Sequence, residues 1–354
     1  MEAYINGIGN ISPQNTIANT EFLEKIVENE INILKCIEPD YKNYISPALS
    51  RRMSRIIKLG ISSSQICLND AEIKIPDAII TGTGMGCIED TEKFLTALIN
   101  NNEEFLTPTS FIQSTHNTVS SQIALQIGCH NYNYTYVHRG FSFESALLDA
   151  MMHINENSAN NILVGAIDEL TDDYLKISTR TGFWKKENIN NLKLLENKTN
   201  GSIAGEGSSF FLLSNQPTIK SYAKIKYIST FFNPESKIEA LNKICDFLTQ
   251  NNLNLSEIDL VLQGFNGDLQ YDSIYYYLAE NIFNNNNIAY FKHLCGEYHT
   301  ASAFGLWLAA KVISNQFVPE IVKFNSFKTN KIENILIYNH WRNTDHSLIL
   351  ISKC

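Results

Sequence analysis

No two cysteines in this 354-residue chain stand at C-x-x-C spacing, and their number, seven, is odd. Cys36, Cys67, Cys87, Cys129, Cys245, Cys295 and Cys354 are scattered, which excludes a disulfide scaffold or a zinc ribbon and points to reduced, mostly buried thiols. Long apolar runs are also missing. Nothing approaches the roughly 20 residues of a membrane span, and Met1-Glu-Ala-Tyr-Ile-Asn-Gly-Ile-Gly9 has no basic leader region, so a cytoplasmic protein is expected. Cations are in deficit, with 28 lysines and arginines against 37 acids and a net charge of -9. A general binder of nucleic acid or of anionic membrane needs the reverse, so any basic docking site must be local.

What is present suits a folded enzyme-sized core. Hydrophobic residues make up 44% of the chain, enough for two fused α/β halves. Ser50–Leu68 has helical apolar spacing, with Arg51, Arg52, Arg55 and Lys58 off the apolar face. Asp77-Ala-Ile-Ile-Thr-Gly-Thr-Gly-Met-Gly86 reads as a buried strand ending in a glycine turn that lacks the lysine of a phosphate loop. Thr107–Ile127 gives an extended lead-in and a helix, and Asn161–Asp168 a strand buried on both faces. The pattern then recurs, with a helix over 238–250, a strand over 259–264, a helix over 300–313 and a strand over 334–338. Two similar halves are implied, 1–215 and 216–354, each a sheet covered by helices.

The centre of the first half is Tyr134-Thr-Tyr-Val-His-Arg-Gly-Phe-Ser-Phe-Glu144, where a strand runs through a sharp turn into the helix that begins near Ser145. Such a turn suits a nucleophile, because the free N–H groups of the first helical turn stabilise an oxyanion. Here the turn carries Gly140 and no cysteine.

Five segments, in order, carry a resemblance: Arg52-Met-Ser-Arg-Ile-Ile-Lys-Leu59, the glycine turn at 82–86, Val164-Gly-Ala-Ile-Asp-Glu169, Asn200-Gly-Ser-Ile-Ala-Gly-Glu-Gly207 and Lys292-His-Leu-Cys-Gly296. Together they resemble the β-ketoacyl-acyl carrier protein synthases of the thiolase fold. That resemblance implies a five-layered α-β-α-β-α core of two duplicated halves, dimerising through the first. It implies a cysteine at the central turn that takes the acyl chain as a thioester, two histidines that assist decarboxylation, and a glycine-rich gating loop. The matching positions depart from all of these. The cysteine position falls on Gly140, the first histidine near Phe265 within Gly264-Phe-Asn-Gly267, and the second on Glu297, five residues after the motif lysine Lys292. Asn339-His-Trp-Arg-Asn-Thr-Asp345 replaces the gating glycines.

Glycine forms no thioester and a carboxylate at 297 repels a developing enolate, so condensation by this chain alone is not expected. The pattern is similar to that of chain length factors, which lack the cysteine and pair with an active synthase to shape the acyl tunnel in polyketide, aryl polyene and flexirubin-type pathways. The resemblance then implies a heterodimer with an active ketosynthase and an acyl carrier protein that supplies phosphopantetheine, with no cofactor or metal held by the chain itself. Two alternatives stay open. Ser142, with His138 as base, is either a displaced nucleophile of an acyltransferase or hydrolase or a residue of the helix's first turn, and the chain is otherwise a homodimeric acyl-binding protein. His138 and Arg139 either contact phosphopantetheine or pair with Glu144, Glu297 or a partner chain. Since carriers are acidic and dock on a basic patch in the resembled family, Arg51, Arg52, Arg55 and Lys58 are either docking residues or a solvated helix face.

Overall fold

A computed structural model describes residues 2–20, 22–328 and 331–354. Ten strands form the main sheet array: β1 Ala3–Ile11, β2 Ala78–Gly82, β3 Tyr132–Tyr136, β4 Asn161–Asp168, β5 Gly207–Ser214, β6 Ala223–Phe232, β7 Leu260–Gln263, β8 Asn287–Tyr290, β9 Asn334–Trp341 and β10 Asp345–Ser352. Their spatial order is β8-β7-β9-β10-β6-β1-β5-β4-β2-β3. Numbered within each half, the order is first, fifth, fourth, second, third in both. The orientations repeat as well. In each half the first strand pairs antiparallel with the fifth and the fifth antiparallel with the fourth, while the fourth, second and third run parallel. The sheets meet where Ala3–Ile5 pairs with Ala223–Ile225.

Alternation along the strands divides the core into layers. On β4, Leu163 and Ile167 face an outer cluster shared with the helices α1 Arg55–Asp70 and α2 Thr118–Ile127, whereas Ile162, Val164 and Ala166 face inward. On β9, Leu336 and Tyr338 face the opposite outer cluster with Ala240, Ile244 and Phe247 of α4 Lys237–Gln250, whereas Ile335 and Ile337 face inward. Between the sheets lie α3 Ser142–Asn155 and α5 Ser302–Asn315, whose residues from Phe143 to Ile154 and from Ala303 to Ile313 dominate the central cluster. The α-β-α-β-α order of a thiolase-like fold follows. α5 is buried along nearly its whole length, as a helix between two sheets must be.

Local structure departs from the sequence reading at two helices. The helix assigned from Ser50 begins at Arg55, because Ser54 is extended at its N-cap and the preceding turn of helix ends at Ser50, leaving Arg51 and Arg52 in a link. The lead-in before α2 is itself helical over Pro108–Ser114, with Pro108 at the first position, where a missing N–H costs nothing.

The halves are locked where a segment of the first crosses a loop of the second. Gly205 N–H donates to the Glu297 carbonyl at 3.0 Å and Glu297 N–H to the Ile203 carbonyl at 2.8 Å. A Cβ at Gly205 would lie 2.0 Å from the Cys295 carbonyl oxygen, so only glycine permits this approach. Gly205→Ala is expected to cost more than about 3 kcal/mol in denaturant unfolding, since both sides of the clash are backbone. Gly182→Ala, at φ 77 with open space around it, is the control and should cost only about 1 kcal/mol.

Candidate functional site

β3 ends at Tyr136, and a short 3-10 turn over Arg139–Phe141 hands the chain to α3. Arg139 takes φ 48, the left-handed region that a non-glycine side chain resists, so the bend is sharp. Ser142 closes it. Its Oγ donates to the Arg139 carbonyl at 2.8 Å and accepts the His138 N–H at 2.8 Å, and the residue is fully buried. This corrects the displaced-nucleophile reading, because the hydroxyl is held by the backbone of its own turn. The imidazole of His138 packs edge-on against Phe141 at 5.5 Å instead of reaching Ser142 as a base.

Gly140, the position that the resemblance matches to the cysteine, is buried, and its N–H donates to Asp345 Oδ2 at 3.2 Å. A Cβ there would stand 2.6 Å from Trp341 Cβ and 2.8 Å from Asp345 Oδ2. Both neighbours come from the β9–β10 hairpin, whose turn replaces the gating glycines. Arg342 and Asn343 occupy left-handed angles of φ 47 and 57 in that turn. The hairpin therefore keeps the backbone shape that glycines favour and adds bulk over the turn.

The positions matched to the two histidines hold a different chemistry. Lys292 Nζ lies 2.7 Å from Glu297 Oε2, with exposures of 1% and 3%, and Asn266 Nδ2 donates to the same oxygen at 2.6 Å. Burial pushes the Glu297 carboxyl up, while Lys292 and Asn266 pull it back. Phe265 is not part of this group. It packs into the outer core of the second half against Tyr275, Tyr276 and Phe324, and its successor Asn266 is the residue that faces Glu297. The strand-to-loop register carries one side chain to each side, and sequence alone does not say which faces the site.

Glu144 does not pair with His138 or Arg139. It is buried on α3, where burial raises its carboxyl pKa and the Ser302 and Ser347 hydroxyls oppose the shift. Three further participants were not singled out from sequence as site groups: Trp341, Asp345 and Asp168. Asp168, at the end of β4, accepts from Thr83 Oγ1, Gly84 N–H and Met85 N–H through one oxygen and from Thr300 N–H and Oγ1 through the other. It thus fastens the glycine turn after β2 to the loop before α5. Its place in Val164-Gly-Ala-Ile-Asp-Glu169 was the only signal.

The basic cluster separates into unlike parts. Arg55 forks onto the fully buried Glu206 carboxylate at 2.8 and 2.6 Å and also pairs with Glu38, so it is committed to the interior rather than to docking. Glu206 further accepts from Cys36 and Leu170 N–H groups, which accounts for the acid between two glycines at 205–207. Lys58 lies over the Tyr41 ring at 5.3 Å. Only Arg51 and Arg52 are well exposed. Among the described residues no cluster of three or more metal-ligating side chains occurs, and no helix is long and apolar enough to cross a membrane.

This architecture has known counterparts. Residues 35–185 match the family described as beta-ketoacyl synthase, N-terminal domain. Over those residues, less than half of its length, the chain is similar to that family. None of the curated proteins matches its sequence. Among solved structures, the ishigamide ketosynthase/chain length factor superposes with a TM-score of 0.81 at 13% identity, covering 100% of this chain and 99% of that one. A ketosynthase in complex with its chain length factor from Xenorhabdus doucetiae gives 0.75 at 14% identity, covering 99% and 98%. A type II ketosynthase with its acyl-carrier protein and a bound hexaketide gives 0.76 at 15%, covering 100% and 99%. The chain shares their fold.

Two outcomes are expected at the site. Gly140→Cys should destabilise the protein and give no adduct with an acyl thioester in intact mass spectrometry, because its side chain has no room. Lys292→Met leaves the Glu297 carboxyl buried without its partner and should cost about 3 to 5 kcal/mol. Lys292→Met with Glu297→Leu should recover most of that loss in the same denaturant titration, as expected when a buried pair is replaced together.

Proposed function

We propose that this chain is a chain length factor, a non-catalytic subunit that pairs with an active β-ketoacyl synthase in polyketide or fatty acid chain elongation of the aryl polyene type. The observation that carries the reading is the filled site. Trp341 and Asp345 occupy the space a nucleophile at 140 would need, while Lys292, Glu297 and Asn266 satisfy one another where acid-base groups would be required. A scaffold retained with its reaction centre packed shut suits a subunit whose work is structural.

The surface supports a partner. The two ends of the sheet array are treated differently: the β8 edge is covered by the chain itself, through Phe324 N–H to the Ile288 carbonyl, Ile288 N–H to the Asn325 side chain and a bridge from Ala289 to Lys323. Among the described residues the β3 edge has no such cover, and it presents Tyr132 and Tyr134, with Val137 just beyond and Leu125, Leu148 and Met152 exposed on the flanking α2 and α3. A bare edge strand amid exposed apolar side chains is a pairing surface, and a synthase subunit of the same fold offers the complementary one. Arg51 and Arg52 remain as the docking residues for an acidic carrier, which brings the phosphopantetheine.

Co-expression with a cysteine-bearing ketosynthase tests the proposal. A one-to-one complex is expected, and acyl-carrier substrate should label only the synthase cysteine. Tyr134→Lys should weaken the complex at least about tenfold, as hot-spot loss at an interface does, and Arg51→Glu with Arg52→Glu should reduce carrier affinity while leaving the complex intact. An acyl label on this chain, or a stable homodimer that ignores the synthase, would refute the reading.

A further inference from the structure

Beside the closed turn lies an open pocket of about 510 Å³, lined in part by His138, Arg139, Phe183, Tyr271, Trp341 and Arg342. Its character is cationic and aromatic together. The Arg342 guanidinium lies 4.0 Å from the Phe183 ring centre and 4.8 Å from that of Tyr271, and donates to Tyr271 Oη at 3.1 Å. Two rings thus cover the guanidinium and fix its orientation, which leaves its other edge groups as oriented donors. Phe183 continues to Trp341, edge-on at 6.3 Å, so the apolar wall extends past the cation.

Neither Arg139 nor Arg342 forms an ion pair among the described residues. The one carboxylate of the pocket, Asp345, is turned to the Gly140 N–H. Elsewhere in the chain a comparable arginine, Arg55, pairs with two carboxylates. A second observation is independent of charge: Arg139, Arg342 and the adjacent Asn343 all hold left-handed backbone angles, of φ 48, 47 and 57. Arg342 and Asn343 take these angles in the turn of the β9–β10 hairpin and Arg139 in the turn before α3, so both arginines leave the backbone from tight turns beside the pocket.

We propose that this pocket binds an oxyanion, a carboxylate or a phosphate ester, carried on a flat apolar body. Arg139 and Arg342 hold the oxygens by charge-assisted hydrogen bonds, and the body lies along Phe183 and Trp341. The volume admits a ligand of two or three fused rings or an equivalent unsaturated chain, and no bond is made or broken. This goes beyond the partner role, because it assigns a ligand to the chain itself whether or not a synthase is attached.

The test is calorimetric titration of the full-length chain with 2-naphthoate, 2-naphthyl phosphate and neutral 2-naphthol, followed in parallel by tryptophan fluorescence. Saturable binding of at least one anion is expected, at least about tenfold tighter than the naphthol, as charged hydrogen bonds require. The preferred anion identifies the head group as carboxylate or phosphate. Arg139→Gln and Arg342→Gln should each weaken the anion about tenfold or more and leave the naphthol unchanged. Arg139 is exposed, so its variant folds even if loss of the Arg342 stack disturbs the hairpin. Equal binding of naphthol and anions, unchanged anion affinity in Arg139→Gln, or no saturation up to about 10 mM, beyond any useful affinity, overturns the proposal.

Discussion

A lysine ammonium buried to 1% exposure dictates much of what surrounds it. Lys292 opens the short helix after β8, in the interior between the halves, where an unpaired cation costs several kcal/mol. Something must face it, and Glu297 does, with Asn266 sharing the carboxylate. The backbone of Glu297 is in turn the strand-like partner of Ile203 and Gly205, so the residue that neutralises the lysine also joins the halves. Charge compensation and interlocking of the halves are one constraint. A carboxylate at 297, which looks like a loss when read as a failed histidine, is on this account a gain in stability for a scaffold that has kept its lysine.

The same logic holds for two further buried acids, the first within the first half and the second between the halves. Glu206 answers Arg55 and two backbone N–H groups, and Asp168 answers five donors from the glycine turn and the loop before α5. Each is a buried acid whose cost is offset only by complete satisfaction, and each ties together segments far apart in sequence. The motifs that resemble a synthase are therefore largely the fasteners of the fold. Losing one of them would loosen the whole assembly.

How much of this was legible in the sequence follows from range. The alternation on β4 and β9, the helical spacing of α3 and α5 and the repeat of the pattern are local periodicities, and two similar halves, each a sheet covered by helices, come out of them, whereas the five-layered order was what the resemblance implied. Less legible were features set by cancelling local signals. Arg51 to Leu68 keeps helical spacing across the Ser54 break, which only the extended Ser54 backbone reveals. At Phe265 and Asn266 the strand has just ended, so period-2 counting no longer assigns faces, and the aromatic side chain goes to the core while the amide goes to the site. Arg55 looked like its neighbours until Glu206, 151 residues away, was brought against it. The roles of Trp341 and Asp345 were invisible for the same reason, since nothing near them in sequence mentions Gly140.

That last contact also explains why the altered centre is self-consistent. Trp341 and Asp345 approach Gly140 so closely only because no Cβ stands there, and the space at 140 stays closed only while they remain. The Asp345 carboxylate depends on the Gly140 N–H for a partner, and burial raises its pKa against that hydrogen bond and the nearby charge of Arg139. Glycine, tryptophan and aspartate are thus coupled sites, where the effect of one substitution is conditional on the others. A single change at any of them leaves either a clash or a cavity with an unpaired carboxylate. Placing a nucleophile at this turn would therefore require changes in the β9–β10 hairpin as well as in the turn itself.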